Sequence, residues 1–180
     1  NVQTAVTSCT NDAQCVQVNI PSGSCTWSNS SITIPKAMKI QGAGAANTIL
    51  TGTSGFFSFG TSGIEITGIG FTMGSGIFIT IYGGQNWRVH NNSFTGTSGT
   101  SGDYAVLLRT SNFSNPPFGL IDNNTFSNSR VYVSRCISQG WNCNVEAYYE
   151  ANSFGNENYV FIEDNTVTFT RQSNWIDGND

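Results

Sequence analysis

Four eight-residue segments of this chain, at 64–71, 87–94, 119–126 and 160–167, align without a gap. The segments keep one pattern while the connectors between them lengthen, so the segment is a structural unit and the connectors are loops. Within each unit apolar and polar residues alternate up to a polar corner, and one more apolar residue follows. Such a pattern suits a short strand that bends at a corner and continues as the next strand. A chain of such units coils, and each coil buries its apolar residues by stacking on its neighbours.

Stacked in register, the units give two inward columns, Ile66, Val89, Ile121, Ile162 and Phe71, Phe94, Phe126, Val167. Between them stands the column Ile69, Asn92, Asn124, Asn165. An asparagine repeated at one corner can bond amides in the coils above and below, so Asn92, Asn124 and Asn165 are predicted to form a ladder at an inner corner. Further strands are expected at 16–20, 31–34, 38–40, 48–50, 77–81, 105–108 and 130–133, each bounded by Gly, Pro, Asn or Ser. The stretches 95–103, 112–117 and 134–158 then project as loops.

Composition supports this architecture. The 180 residues suffice for one domain, 1–180, with a real core. Charged residues make up 10% of the chain, and its 20 Gly, 12 Phe and many β-branched residues favour strands and turns over a helical bundle or coiled coil. A formal net charge of -4 removes the electrostatic basis for binding nucleic acid or an anionic membrane. No apolar run approaches the roughly 20 residues of a membrane span. The chain begins with Asn1 and reads as a processed or partial chain.

One short helix is predicted at 1–9, where Val2, Ala5, Val6 and Cys9 share a face that can cover one end of the stack. No matching cap is visible after Trp175, so the other end is expected to continue or to meet another subunit. Cys136 and Cys143 flank a short loop and are predicted to close it as a disulfide. Among Cys9, Cys15 and Cys25 one pair is expected, leaving one thiol over. With a single histidine and no CxxC pair, disulfides are favoured over a cysteine metal site, which points to an exported protein.

The helix 1–9, the stretch from Val16-Gln17-Val18-Asn19-Ile20-Pro21 to Cys25-Thr26-Trp27, the sequence Ile40-Gln41-Gly42-Ala43-Gly44 and the Asn-corner units together carry a resemblance. Over nearly the whole chain they resemble bacterial secreted proteins of the pectate lyase-like superfamily. The resemblance implies an all-β fold, a right-handed parallel β-helix with a short N-terminal capping helix. It does not settle activity, because that superfamily contains lyases, hydrolases, esterases, tailspikes and adhesins.

Lyases of the superfamily use a calcium-binding carboxylate cluster and a basic residue that removes a proton beside a uronate carboxylate. The best constellation here is the outward column Thr67, His90, Asp122, Glu163, with Asp164 beside it. His90, Asp122, Glu163 and Arg88 are thus the catalytic candidates, and Asp122, Glu163 and Asp164 the candidates for calcium, the one ion the pattern suggests. The plainer expectation is a solvated outer face, with Glu65 and Arg88 as a cross-strand ion pair. Leu120 and Phe161 share that second column and need cover, which the loop 134–158 or a partner would supply. Its Trp141, Tyr148 and Tyr149 are candidates for stacking on sugar rings.

Two function classes follow. Low charge, abundant hydroxyl and amide side chains, and few catalytic groups favour a secreted or cell-surface protein with a structural, adhesive or glycan-contacting role. Its partners would be an extracellular polysaccharide or copies of itself. The alternative is a polysaccharide-active enzyme, a lyase or glycoside hydrolase, whose site is incomplete in this chain.

Overall fold

A computed structural model of the chain describes residues 1–27, 31–53, 55–74, 76–97, 103–109, 117–134, 160–169 and 176–178. Sheet A stacks β1 (Gln17–Ile20), β4 (Met38–Gly42), β7 (Ile64–Thr67), β10 (Gln85–His90), β13 (Phe118–Asp122) and β16 (Val160–Glu163) in that order. Sheet B stacks β2 (Gly23–Trp27), β5 (Thr48–Gly52), β8 (Gly70–Met73), β11 (Ser93–Gly96), β14 (Thr125–Ser127) and β17 (Thr166–Thr168). Sheet C stacks β3 (Ile32–Ile34), β6 (Phe57–Phe59), β9 (Gly76–Ile81), β12 (Asp103–Arg109), β15 (Arg130–Ser134) and β18 (Ile176–Gly178). Every third strand joins the same sheet, and all neighbours pair parallel. Each circuit of the chain therefore adds one strand to each of three sheets, which is a parallel β-helix.

The aligned units are the A-to-B corners of successive coils. Val89 pairs with Ile66 and Ile121, and Ile121 with Ile162. Phe94 pairs with Phe71 and Phe126. The Phe71 and Phe94 rings stack with centroids 5.1 Å apart and planes 8° from parallel, and Phe94 and Phe126 repeat this at 5.2 Å and 13°. Burying each such side chain contributes on the order of 1.5–3 kcal/mol. Rings this close to parallel form a continuous stack inside sheet B.

The paired asparagines divide the work of turning the corner. The first, Asn91 or Asn123, takes the left-handed conformation at φ 53°, and Asp164 does so at 52° in the next coil, while Gly68 does it at 71°. The second asparagine points inward and builds the ladder. Asn92 Nδ2 donates to Ile66 O at 2.9 Å, and its Oδ1 accepts from Ile69 N at 3.1 Å. Asn124 repeats this one coil on, donating to Val89 O at 2.9 Å and accepting from Asn92 N at 3.0 Å. Asn165 donates to Ile121 O at 2.9 Å and accepts from Asn124 N at 2.9 Å. The side chains also link directly, Asn92 Nδ2 to Asn124 Oδ1 at 3.2 Å and Asn124 Nδ2 to Asn165 Oδ1 at 3.1 Å. Buried corner amides and carbonyls thereby gain partners that a bend would otherwise deny them.

Helix α1 (Val2–Asn11) covers the first coil and runs two residues past the expected 1–9. Asn1 caps it, its Oδ1 accepting from Thr4 N at 2.9 Å. Val6 and Cys9 are buried, whereas Ala5, placed on the apolar face by its spacing, is exposed. Cys9 is bonded to Cys15, and Cys25 is the thiol left over. The predicted Cys136–Cys143 bond lies outside the described residues.

Strands β2 and β6 were not expected from the sequence. Gly23 to Thr26 in β2 are all exposed, so no apolar alternation marks it, and Phe57, Ser58 and Phe59 of β6 are all buried. In the same region of the stack, Trp87 is accommodated because Gly119 lies beside it: a Cβ there would overlap the Trp87 ring and carbonyl.

Candidate functional site

Strand pairing in sheet A sets two outward columns. One is Gln41, Thr67, His90, Asp122, Glu163; the other is Lys39, Glu65, Arg88, Leu120, Phe161. Neighbouring strands lie about 4.8 Å apart, within reach of long side chains on adjacent coils. The sequence candidates His90, Asp122 and Glu163 thus stand on successive coils, with Arg88 in the neighbouring column.

The expected solvated face is not what these side chains make. His90 is 8% exposed and Asp122 3%. Arg88 is the cause at Asp122: it reaches diagonally and grips the carboxylate with both arms, Nε to Oδ1 at 2.8 Å and a terminal nitrogen to Oδ2 at 2.6 Å. Asn123 Nδ2 closes the same oxygen at 2.6 Å. The expected Glu65–Arg88 pair is therefore replaced, because the fork of a guanidinium fits a carboxylate it can meet with two parallel bonds. Glu65 instead accepts from Lys39 Nζ at 2.9 Å and meets His90 Nε2 at 2.8 Å. On the other side of the imidazole, Nδ1 lies 2.7 Å from Asn91 Nδ2 and 3.5 Å from Thr67 Oγ1.

The electrostatics follow this wiring. The Arg88 hydrogen bonds hold the Asp122 carboxyl below its ordinary value, outweighing burial, with Asn123 helping. The same contact with Asp122 raises Arg88 above its ordinary value. Burial alone would raise Glu65, but the bonds from Lys39 and His90 win and its net shift is downward. Proton transfer by His90 must break a bond at one nitrogen or the other, and Arg88 meets an incoming group only by releasing Asp122.

At Asp122 both carboxylate oxygens carry hydrogen bonds from Arg88 and Asn123, with which a calcium ion would compete. Glu163 and Asp164 are exposed on the following coil. Among the described residues no three His, Cys, Asp or Glu side chains converge. Trp141, Tyr148, Tyr149 and the loop expected to cover the second column lie outside the described residues. Leu120 is half-buried, and Phe161 is 41% exposed.

A second cluster, on sheet C, was missed in the sequence. Tyr104 and Tyr132 have ring centroids 4.9 Å apart, and the Arg130 guanidinium lies 5.0 Å from the centre of the Tyr104 ring. Tyr132 stands between Val131, which is buried, and Val133, which is partly so, and that alternation was the available signal; Tyr104 precedes a run of buried residues and a register shift, and carried none.

The chain is a parallel β-helix carrying a self-bonded charged face and a tyrosine–arginine cluster. No protein-family model, curated protein or solved structure matches it.

Proposed function

We propose that this is an extracellular protein of the bacterial pectate lyase-like kind that works by contact, in a structural, adhesive or glycan-binding role. The observation carrying this reading is that these charged groups are bonded within two sets, Arg88 with Asp122 and Lys39 with Glu65 and His90. Groups that neutralise each other make a rigid surface and are poorly placed to exchange protons with a substrate. The Cys9–Cys15 bond is consistent with an oxidising compartment. Tyr104 and Tyr132, both partly exposed, supply ring faces of the kind that stack on a sugar. Trp141, Tyr148 and Tyr149 belong to the same reading, as does end-to-end association of copies.

The alternative, a polysaccharide-active enzyme, is favoured by one contact, the Glu65 carboxylate against the His90 imidazole at 2.8 Å. Co-sedimentation of the chain with insoluble cellulose, chitin and pectin, together with assays for unsaturated products and new reducing ends, separates the two. Retention without products, weakened by Tyr104→Ala, is expected. Depolymerisation that His90→Ala abolishes in a folded chain would overturn the contact reading and establish the enzyme.

A further inference from the structure

Sheet B has a regularity on its outer side that neither function class uses. Thr26, Thr51, Thr72, Thr95, Ser127 and Thr168 pair in unbroken register across all six of its strands. The inward residues Leu50, Phe71, Phe94 and Phe126 sit one position before, so the hydroxyl column faces away from the core. Two positions earlier on each strand runs a second outward column, which the last three coils fill with Ser93, Thr125 and Thr166. Neither column carries a charged, amide or aromatic side chain at any of its positions.

These hydroxyls are also free. Among the described residues, none in the first column hydrogen-bonds another protein group, whereas Thr48, Thr97 and Ser129 elsewhere on the coils spend theirs on backbone carbonyls. Thr26, Thr51 and Thr168 are exposed, and Thr72, Thr95 and Ser127 are partly so. Register-paired hydroxyls on neighbouring strands can meet, as Thr33 and Ser58 do on sheet C at 3.3 Å, but those of this column do not bond one another, and a water between two of them would bond both. Each hydroxyl donates and accepts, and a threonine is stiff at χ1, so a row of waters would be held at the strand repeat. The Phe71, Phe94 and Phe126 rings one position earlier on each strand stack in the same register beneath the column.

We propose that the outer face of sheet B binds ice. An uncharged array of hydroxyls and methyls, repeating at a distance close to that of the oxygen rows on an ice surface, can hold water already in lattice positions. A polysaccharide is the less suited occupant, because sugar sites rely on aromatic faces and on amide or charged groups, and this face has none.

Partition of the purified chain into a slowly growing ice front, alongside inhibition of ice recrystallisation, tests the proposal. The chain is expected to enter the ice and to keep crystals small. The double variant Thr72→Lys/Thr95→Lys is expected to be excluded, and Thr72→Val/Thr95→Val, which preserves shape and folding, to lose most of the effect. Thr7→Lys, on the exposed side of α1, adds the same charge elsewhere and is expected to behave as the parent chain. The proposal is overturned if the parent chain is excluded from ice, if the valine variant matches it, or if Thr95→Lys instead abolishes retention on a neutral polysaccharide.

Discussion

The outer faces of sheets A and B are built on the same coils with the same strand repeat, yet one is closed upon itself and the other is open. On sheet A the outward residues include Lys39, Glu65, Arg88, His90 and Asp122, long enough to span adjacent coils, and they have found one another. On sheet B the outward residues are mostly Thr and Ser, with Ile49 and Gly70 in the second column, and the hydroxyls of Thr26, Thr51, Thr72, Thr95, Ser127 and Thr168 bond no other described protein group. On sheet A the long charged groups have neutralised one another, while the hydroxyl column of sheet B stays turned to solvent, unlike Thr33 and Ser58 of sheet C, which meet at 3.3 Å.

The corner where the two faces meet should give the largest effect. Asn124→Ala strips Asn92 N–H and Val89 C=O of their partners inside the stack. An orphaned buried group costs about 1–3 kcal/mol, so a loss of roughly 2–4 kcal/mol in denaturant midpoint analysis is expected. A loss below about 1 kcal/mol would mean that neighbouring coils re-satisfy these groups and that the faces do not depend on the ladder.

Next comes the closure of sheet A itself. A double-mutant cycle on Arg88→Ala and Asp122→Ala is expected to return a coupling of about 1–2 kcal/mol, because one partner is buried and the contact is two-armed. The Lys39–Glu65 pair, about a third exposed at each end and with no buried partner, is expected to return less than about 1 kcal/mol. Equal couplings would show that burial of Asp122 adds nothing, and would weaken the contrast between a closed face and an ordinary charged surface.

The register of the fold was legible because it rests on short-range pattern. The alternation around Ile66, Val89, Ile121 and Ile162 and the Asn-Asn corners sets which residues face inward, and strand pairing obeys it. What each outward residue bonds was not legible. Glu65 is directly opposite Arg88, but the geometry that wins is the diagonal fork onto Asp122, and no spacing rule distinguishes those two. The hydroxyl column was within reach and was overlooked: Thr72, Thr95, Ser127 and Thr168 each stand one residue past the end of an aligned segment. Strand β2 gave no signal, because an end strand with only Trp27 buried lacks the period that marks the others.

Acid offers a smaller perturbation of sheet A that sheet B should ignore. Asp122 and Glu65 are both held below their ordinary values of 3.8 and 4.5. Groups with depressed values stabilise the fold fully above the ordinary value, and the contribution disappears as pH falls through the folded-state value. The melting temperature is therefore expected to be flat above about pH 5 and to drop on further acidification, with part of the drop removed in Asp122→Asn. A variant that melts with an unchanged acid profile would sever the link between the Arg88 contact and the pH response.

The smallest effect should come from the hydroxyls of sheet B, and its smallness is the point. Thr95→Val removes a hydroxyl that bonds no described protein group and keeps the branched shape, so stability should stay within about 0.5 kcal/mol of the parent. Thr48→Val is the matched control in the same sheet: Thr48 is buried, accepts from Ala43 N at 2.8 Å and lies 3.1 Å from Pro21 O. Losing it orphans a backbone group and should cost about 1–3 kcal/mol. If both substitutions were equally costly, the Thr95 hydroxyl would have a structural partner, and the face would be no more open than sheet A. A neutral Thr95→Val beside a damaging Thr48→Val separates hydroxyls that hold the coil together from those that face outward for something else to bind.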